Sequence, residues 1–193
     1  MSARPLPPAP AAPVRALGLA LLALAVLAAF AGVTRNGWIL FDDPHYVYEN
    51  PYVARGWTAE GVRWSLTEPH GANWHPRTSR SHRLDAELFG LRPGPHHAVS
   101  LLLHVVNAVL LVLVLRGLTG AWWRSLLVGA LFALHPLRVE SVAWVSERKD
   151  VLSGLFFLLT LAAYGGWARR GGAGRYALVV AYLALGLMAK PML

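Results

Sequence analysis

PGPHHAVSLLLHVVNAVLLVLVL, residues 93–115, decides the fold class. It runs for 23 positions without Asp, Glu, Lys or Arg. About 20 apolar residues suffice to cross a bilayer as a helix, and the stretch shows no period-two alternation. Four further charge-free runs share its Leu, Ala and Val content: Ala16 to Val33, Ser125 to Leu137, Val151 to Ala168, and Tyr176 to Ala189. The run from Ser125 to Leu137 reaches back to Gly117 if Arg124 snorkels. Over the whole chain of 193 residues, 55% are hydrophobic and 15% charged. Soluble domains carry about 25% charged residues. The expectation is an all-α membrane protein with about five transmembrane helices, at 14–33, 93–115, 117–137, 151–168 and 176–193. Segment 34–92 forms a large outer loop carrying short interfacial helices, 138–150 forms a second outer loop, and 1–13 is a disordered Pro/Ala-rich N-terminus.

The charges fit one orientation. With the N-terminus cytoplasmic, the inner segments hold Arg4, Arg15, Arg116, Arg124, Arg169, Arg170 and Arg175 and no acid. The loop 34–92 and the loop 138–150 each balance to zero. The formal net charge of +8 therefore collects almost wholly on the inner side, as the positive-inside rule expects. That placement excludes a nucleic-acid partner as the meaning of the basic balance. Trp38, Trp122, Trp123, Trp167, Tyr164 and Tyr176 sit at span ends, where interfacial aromatics belong. Arg4 and Arg15 before the first run, with Ala29-Phe30-Ala31 after it, also resemble a signal peptide. The later spans favour a retained helix. There is no cysteine, so thiolate chemistry and Cys-based metal sites are excluded.

Within the outer loop, Thr58 to Leu66 reads as a short helix capped by Thr58 and weakened by Gly61. Ser79 to Leu91 reads as a second, with Leu84, Leu88 and Leu91 on one stripe. Polar groups crowd the outer boundary. Asp42-Asp43 follows the first span. Adjacent carboxylates repel, partial burial raises one pKa, and one can then serve as a general base; a plain Asp-Pro turn is the other reading. Asn73-Trp74-His75-Pro76 presents His75 on a turn. His135 opens a segment in which Glu140, Trp144 and Glu147 share one helical face at spacings of four and three. Arg148, Lys149 and Asp150 follow, and an arginine there can bind phosphate bidentately. His45, His70, His75, His82, His96, His97 and His135 all fall on the outer side, yet no HExxH or similar ligand spacing occurs, so no metal site is expected. His104 and Asn107, three apart within the second span, are expected to hydrogen-bond to a neighbouring helix. Lys190 in a membrane segment costs about 2.5–3.5 kcal/mol on insertion scales, which snorkelling to the outer surface relieves. A transporter would gather polar groups at mid-membrane. Here they gather at the surface, which leaves a membrane enzyme or a non-catalytic scaffold.

Taken together, Phe41-Asp42-Asp43, Glu49-Asn50-Pro51, Asn73-Trp74-His75-Pro76, Leu88-Phe89-Gly90-Leu91, HPLRVESVAWVSERKD at 135–150, and Ala189-Lys190-Pro191-Met192 carry a resemblance. The chain resembles, across about residues 36–193, the bacterial relatives of the transmembrane and tetratricopeptide-repeat-containing proteins, glycosyltransferases of the GT-C class. The resemblance implies the N-terminal part of a GT-C fold, with further helices and a repeat domain to follow in members of the family. It implies a polyprenyl-phosphate sugar as donor, a protein Ser or Thr hydroxyl as acceptor, and inverting transfer. The first outer loop would carry the acidic base, Asp42 or Asp43. His75, His135, Glu140, Glu147, Arg148, Lys149 and Lys190 are the candidate residues for substrate and donor phosphate. No cofactor is implied beyond the lipid-linked donor, with a divalent metal left open. The expected setting is a bacterial inner membrane with segment 34–92 periplasmic, and the partners are membrane lipid, the donor and the acceptor protein. The sequence departs from the family at Arg77-Thr78-Ser79-Arg80-Ser81-His82-Arg83, which is basic where family members are more apolar.

Overall fold

The structure, a computed structural model, describes residues 10–69 and 74–192. His70, Asn73 and residues 1–9, part of the expected disordered N-terminus, lie outside them. The described residues form helices and turns with no strand. The helices are α1 (Ala12–Phe30), α2 (Pro51–Ala54), α3 (Ala59–Thr67), α4 (Pro76–Phe89), α5 (Pro93–Thr119), α6 (Trp122–Leu134), α7 (Arg138–Ala143), α8 (Arg148–Arg170) and α9 (Ala173–Leu187). Proline opens α1, α2, α4 and α5, where its missing N–H costs nothing. Thr58 caps α3 as expected, its Oγ1 accepting the Gly61 N–H at 3.1 Å. Helix α4 begins at Pro76, three residues before the expected start, because that proline supplies a ready first turn.

Three helical stretches are long and apolar enough to cross a membrane: Ala12–Arg35, Pro93–Thr119 and Val145–Arg170. The chain is an all-α membrane protein. Helices α6 and α9 are apolar but have 13 and 15 residues, or about 20–23 Å of rise against a hydrocarbon layer of about 30 Å. Helix α5 is the hub. Its Leu101, Ala108 and Val112 are buried against Leu22, Val26 and Phe30 of α1, Trp122 and Ala133 of α6, and Val151 of α8. Gly129 makes the α5–α6 approach possible, since a Cβ there would lie 2.3 Å from the Val112 side chain. The two polar residues inside α5 find the partners expected of them. His104 Nε2 donates to the Ala133 carbonyl at 2.9 Å, and Asn107 Nδ2 donates to the Val151 carbonyl at 2.7 Å. Leu17, Leu21, Leu24, Leu127 and Leu131 point outward, the surface a bilayer would cover.

The outer segment has its own small core of Val47, Val53 and Val145, packed by Trp38, Tyr46 and Trp64. Its basic stretch is turned inward. Arg83 is buried, donates from Nε to the Gly56 carbonyl at 3.0 Å and from Nη2 to the Thr58 carbonyl at 2.7 Å, and lies over Trp57. Gly61 interrupts α3 for a reason: a Cβ there would meet the Arg83 guanidinium at 2.6 Å. Leu84, Leu88 and Leu91 form the exposed stripe of α4 and the turn after it.

Candidate active site

The chain leaves α1 through a 3-10 turn, Ala31–Arg35, and runs extended to Ile39. Trp38 is wedged between the Tyr48 and His96 rings, and His97 Nε2 donates to the Gly37 carbonyl at 3.2 Å. The two carboxylates that follow part company. Asp43 is fully buried. Its Oδ2 accepts the Ile39 N–H at 2.8 Å, and its Oδ1 accepts both the Ser146 N–H at 3.0 Å and the Ser146 hydroxyl at 2.6 Å. Asp43 therefore ties the first outer loop to the second. Asp42 is half-buried. Its backbone carbonyl accepts the Tyr46 N–H at 2.9 Å, starting the turn Pro44–Tyr48. Among the described residues nothing hydrogen-bonds to its carboxylate.

The tie at Ser146 explains a departure from the helical reading of 140–147. Helix α7 stops at Ala143, Trp144 is extended, and Val145–Glu147 forms a separate 3-10 turn. Glu140, Trp144 and Glu147 thus share no helical face. The break aims the Ser146 N–H at Asp43 and lets α8 start afresh at Arg148. Glu140 and His135 are exposed; His135 Nδ1 accepts the Leu137 N–H at 3.2 Å, and neither touches the cationic groups described next.

Arg148 has a different position from the one a phosphate ligand requires. It is fully buried at the start of α8. Nε donates to Ser100 Oγ at 3.2 Å, Nη1 to Ser81 Oγ at 3.1 Å, and Nη2 to the His96 carbonyl at 2.6 Å, while Nη1 also pairs with Asp85 at 2.5 Å. Every guanidinium nitrogen is occupied by α4 or α5. His82 and His96 complete this knot, their Nδ1 atoms 3.4 Å apart. Burial first, then Arg148 and His96, hold the His82 pKa well below its ordinary 6.5. Burial raises the Asp85 pKa and Arg148 opposes that rise. His82, Asp85 and His96 place one ligand atom each within 4.8 Å of one another. They come from two helices, which is why no ligand spacing marks them in the sequence. The Arg148 guanidinium already faces the Asp85 oxygen, so a metal ion there would meet a like charge at contact distance.

The accessible cations lie one residue further on. Lys149 Nζ pairs with Glu147 at 2.6 Å and sits over the Tyr46 ring. Lys190 pairs with Asp150, whose other oxygen accepts the Ser141 hydroxyl at 3.0 Å. The segment after α9 is docked on the first turn of α4. The Arg77 N–H donates to the Met188 carbonyl at 3.1 Å, and the Thr78 hydroxyl to the Ala189 carbonyl at 3.0 Å. His75, one residue before α4, lies between these groups with its ring 6.5 Å from that of Tyr46. Its pKa is lowered by burial and then by Lys149 and Lys190. Its buried Nδ1 has no hydrogen-bond partner among the described residues. His75, Lys149, Glu147 and Lys190 are thus brought together, and Tyr46 links them to Asp42. Ser146 and Asp85 were missed in the sequence because the partner of each lies far along the chain; Ser141 and Asp150, only nine residues apart, are bonded to each other beside Lys190.

Fold and site together define a helical membrane protein with a carboxylate, a neutral imidazole and two lysines gathered where its helices meet the outer segment. Over 104 residues, 52% of this chain, it is 39% identical to the Xenopus laevis Protein O-mannosyl-transferase tmtc2. It is 34% identical over 134 residues to the Drosophila melanogaster Protein O-mannosyl-transferase Tmtc2, and 31% identical over 156 residues to the Mus musculus Protein O-mannosyl-transferase TMTC1, covering 65% and 75% of this chain. The matched stretches make up 12%, 14% and 16% of those relatives. No family model and no solved structure matches the chain.

Proposed function

We propose that this chain forms the acceptor- and donor-handling part of an integral-membrane O-mannosyltransferase-like enzyme. It would take a sugar from a polyprenyl-phosphate donor and deliver it to a protein Ser or Thr hydroxyl with inversion. The setting would be a bacterial inner membrane, with the N-terminus cytoplasmic and segment 34–92 on the far side. The observation that carries the reading is the separation of the two carboxylates: Asp43 is consumed by Ile39 and Ser146, while the Asp42 carboxylate has no hydrogen-bond partner among the described residues. The names of the relatives support the reaction class.

Asp42 accepts the proton of the acceptor hydroxyl as its oxygen bonds to the anomeric carbon. The bond from that carbon to the phosphate oxygen breaks, and the lipid phosphate leaves with the electron pair. Positive charge develops on the sugar and negative charge on the leaving group. Lys149 and Lys190 supply the fixed cations the leaving phosphate needs. His75 stays neutral at pH 7, so its Nδ1 can exchange a hydrogen bond with substrate at no charge cost. Arg148 leaves the donor-phosphate set, and His135 and Glu140, both exposed, have no role in this step. Asp43 acts as a positioning residue for its chain neighbour Asp42, by anchoring the loop to Ile39 and Ser146. The lipid-linked donor is the one cofactor-like group the reading calls for.

The test is mannose transfer by a full-length relative carrying Asp42→Asn or Asp43→Asn at the equivalent positions. Loss of more than 100-fold with Asp42→Asn, at unchanged expression and thermal stability, is expected for a general base. Full transfer by that variant would leave the scaffold reading in its place.

A further inference from the structure

A second polar feature lies beside this site, and of its lining residues only Lys190 was among the sequence candidates. A cleft of about 190 Å³ opens between α7, the first turns of α8 and the Lys190 segment. Arg138, Asp150, Ser153 and Lys190 line one part of it, and Phe157 and Met192 the other. Its charges do not cancel. Both Asp150 oxygens are engaged, one by Lys190 and one by the Ser141 hydroxyl. Arg138 is half-buried, rests on the Phe132 ring 4.9 Å away, and has no carboxylate within ion-pair distance among the described residues. The contrast with Arg148, which has a partner at every nitrogen, is direct.

A guanidinium left without a counter-ion where helices enter an apolar layer is costly unless an anion meets it. Arginine offers two parallel N–H groups to a phosphate, and Lys190 adds a second cation at the same opening. Phe157 and Met192 are exposed at 44% and 78%, which gives the cleft an open apolar wall. The ligand this lining fits is an anionic phosphate ester joined to an apolar chain. We infer that the Arg138–Lys190 cleft seats the phosphate of the lipid-linked donor, with its apolar chain leaving past Phe157. The inference rests on the transferase reading and assigns that reading a phosphate seat.

The purified chain in neutral detergent, titrated with a polyprenyl monophosphate, tests it. Saturable binding is expected, weakened at least tenfold by Arg138→Gln and several-fold by Arg138→Lys, which keeps charge and stem but loses the fork. Thermal unfolding of both variants checks the fold, and the lysine variant keeps the test valid should the glutamine variant unfold. Wild-type affinity in Arg138→Lys and Arg138→Gln overturns the seat. So does equal binding of neutral polyprenol, or equally tight binding of inorganic phosphate alone. Competition by phosphatidylglycerol as strong as by polyprenyl phosphate overturns the assignment to the donor. Absence of sugar transfer in a full-length relative, with Arg138-dependent lipid-phosphate binding intact, removes the transferase reading and leaves the phosphate seat.

Discussion

Arg148 and Lys149 are neighbours in the chain with opposite surroundings. The Arg148–Asp85 pair has side-chain exposures of 0% and 4%, the Lys149–Glu147 pair 15% and 12%, and the Lys190–Asp150 pair 25% and 28%. The first is a knot that fastens α4 to α5 and α8. The last forms part of an open cleft. Within a few residues the same kinds of charge pass from holding the protein together to lining an open cleft. What separates the roles is how far each pair is closed off from solvent. The carboxylates repeat the lesson: Asp43 is fully buried with its oxygens held by backbone and serine, while Asp42 is half-buried and nothing among the described residues hydrogen-bonds to its carboxylate.

The hardest way to break this comparison is to remove the cation from the knot. Arg148→Met leaves Asp85 buried and uncompensated, at an expected cost of about 3–5 kcal/mol. Loss of folded protein in detergent, measured by thermal unfolding or protease resistance, is the readout. Arg148→Met combined with Asp85→Leu should recover most of that loss, since a buried pair can be exchanged for apolar groups. A stable single variant would show that Arg148 is not the fastening described.

The carboxylate pair comes next. Asp43→Ala strands the buried N–H and hydroxyl of Ser146, and each buried unsatisfied donor costs about 1–3 kcal/mol. Asp42→Asn keeps the side chain's size and breaks no hydrogen bond among the described residues, so it should leave thermal stability within about 0.5 kcal/mol. Equal stability losses for the two variants would erase the division of labour between them.

The membrane-spanning part of this division could be read from the chain alone, and the site only partly. Charge-free runs report burial in hydrocarbon position by position, so α1, α5 and α8 were legible, as were the Thr58 cap and the need of His104 and Asn107 for partners. The spacing of Glu140, Trp144 and Glu147 was misleading. Periodicity describes a helix that nothing interrupts, and here Asp43, 103 residues away in sequence, draws Ser146 out of line. Arg148 looked like a ligand for phosphate because Asp85, Ser81 and Ser100 lie far from it along the chain. Arg138 was overlooked for the converse reason: an arginine lacking a partner is visible only once the carboxylates nearby are seen to be occupied elsewhere.

A pH scan sharpens the knot side further. His82 is held neutral, its pKa well below 6.5 through burial, then Arg148, then His96. The unfolded chain takes up a proton there below about pH 6.5 and the folded chain does not. The stabilisation is therefore complete above that pH. It is lost as pH falls toward the folded-state pKa, by at most about 1.4 kcal/mol per pH unit from this group. His82→Gln should flatten the dependence of thermal stability on pH between 6.5 and 5. An unchanged slope in that variant would mean that His82 is not the group being titrated.

The smallest effect belongs to the open end of the series. Lys190 and Asp150 are each more than a fifth exposed, so solvent screens their attraction and ordering the lysine side chain offsets part of it. Asp150 also keeps its bond from Ser141 when the lysine is gone. Lys190→Gln should therefore shift stability by less than about 1 kcal/mol. That is the opposite extreme from Arg148→Met, although both remove one cation from an ion pair. The same variant should weaken binding of a polyprenyl monophosphate, because what Lys190 contributes is charge at an opening and not support inside a packed core. A stability loss approaching that of Arg148→Met would mean that Lys190 belongs to the knot, and the boundary between the two regions would have to be drawn on the other side of Asp150.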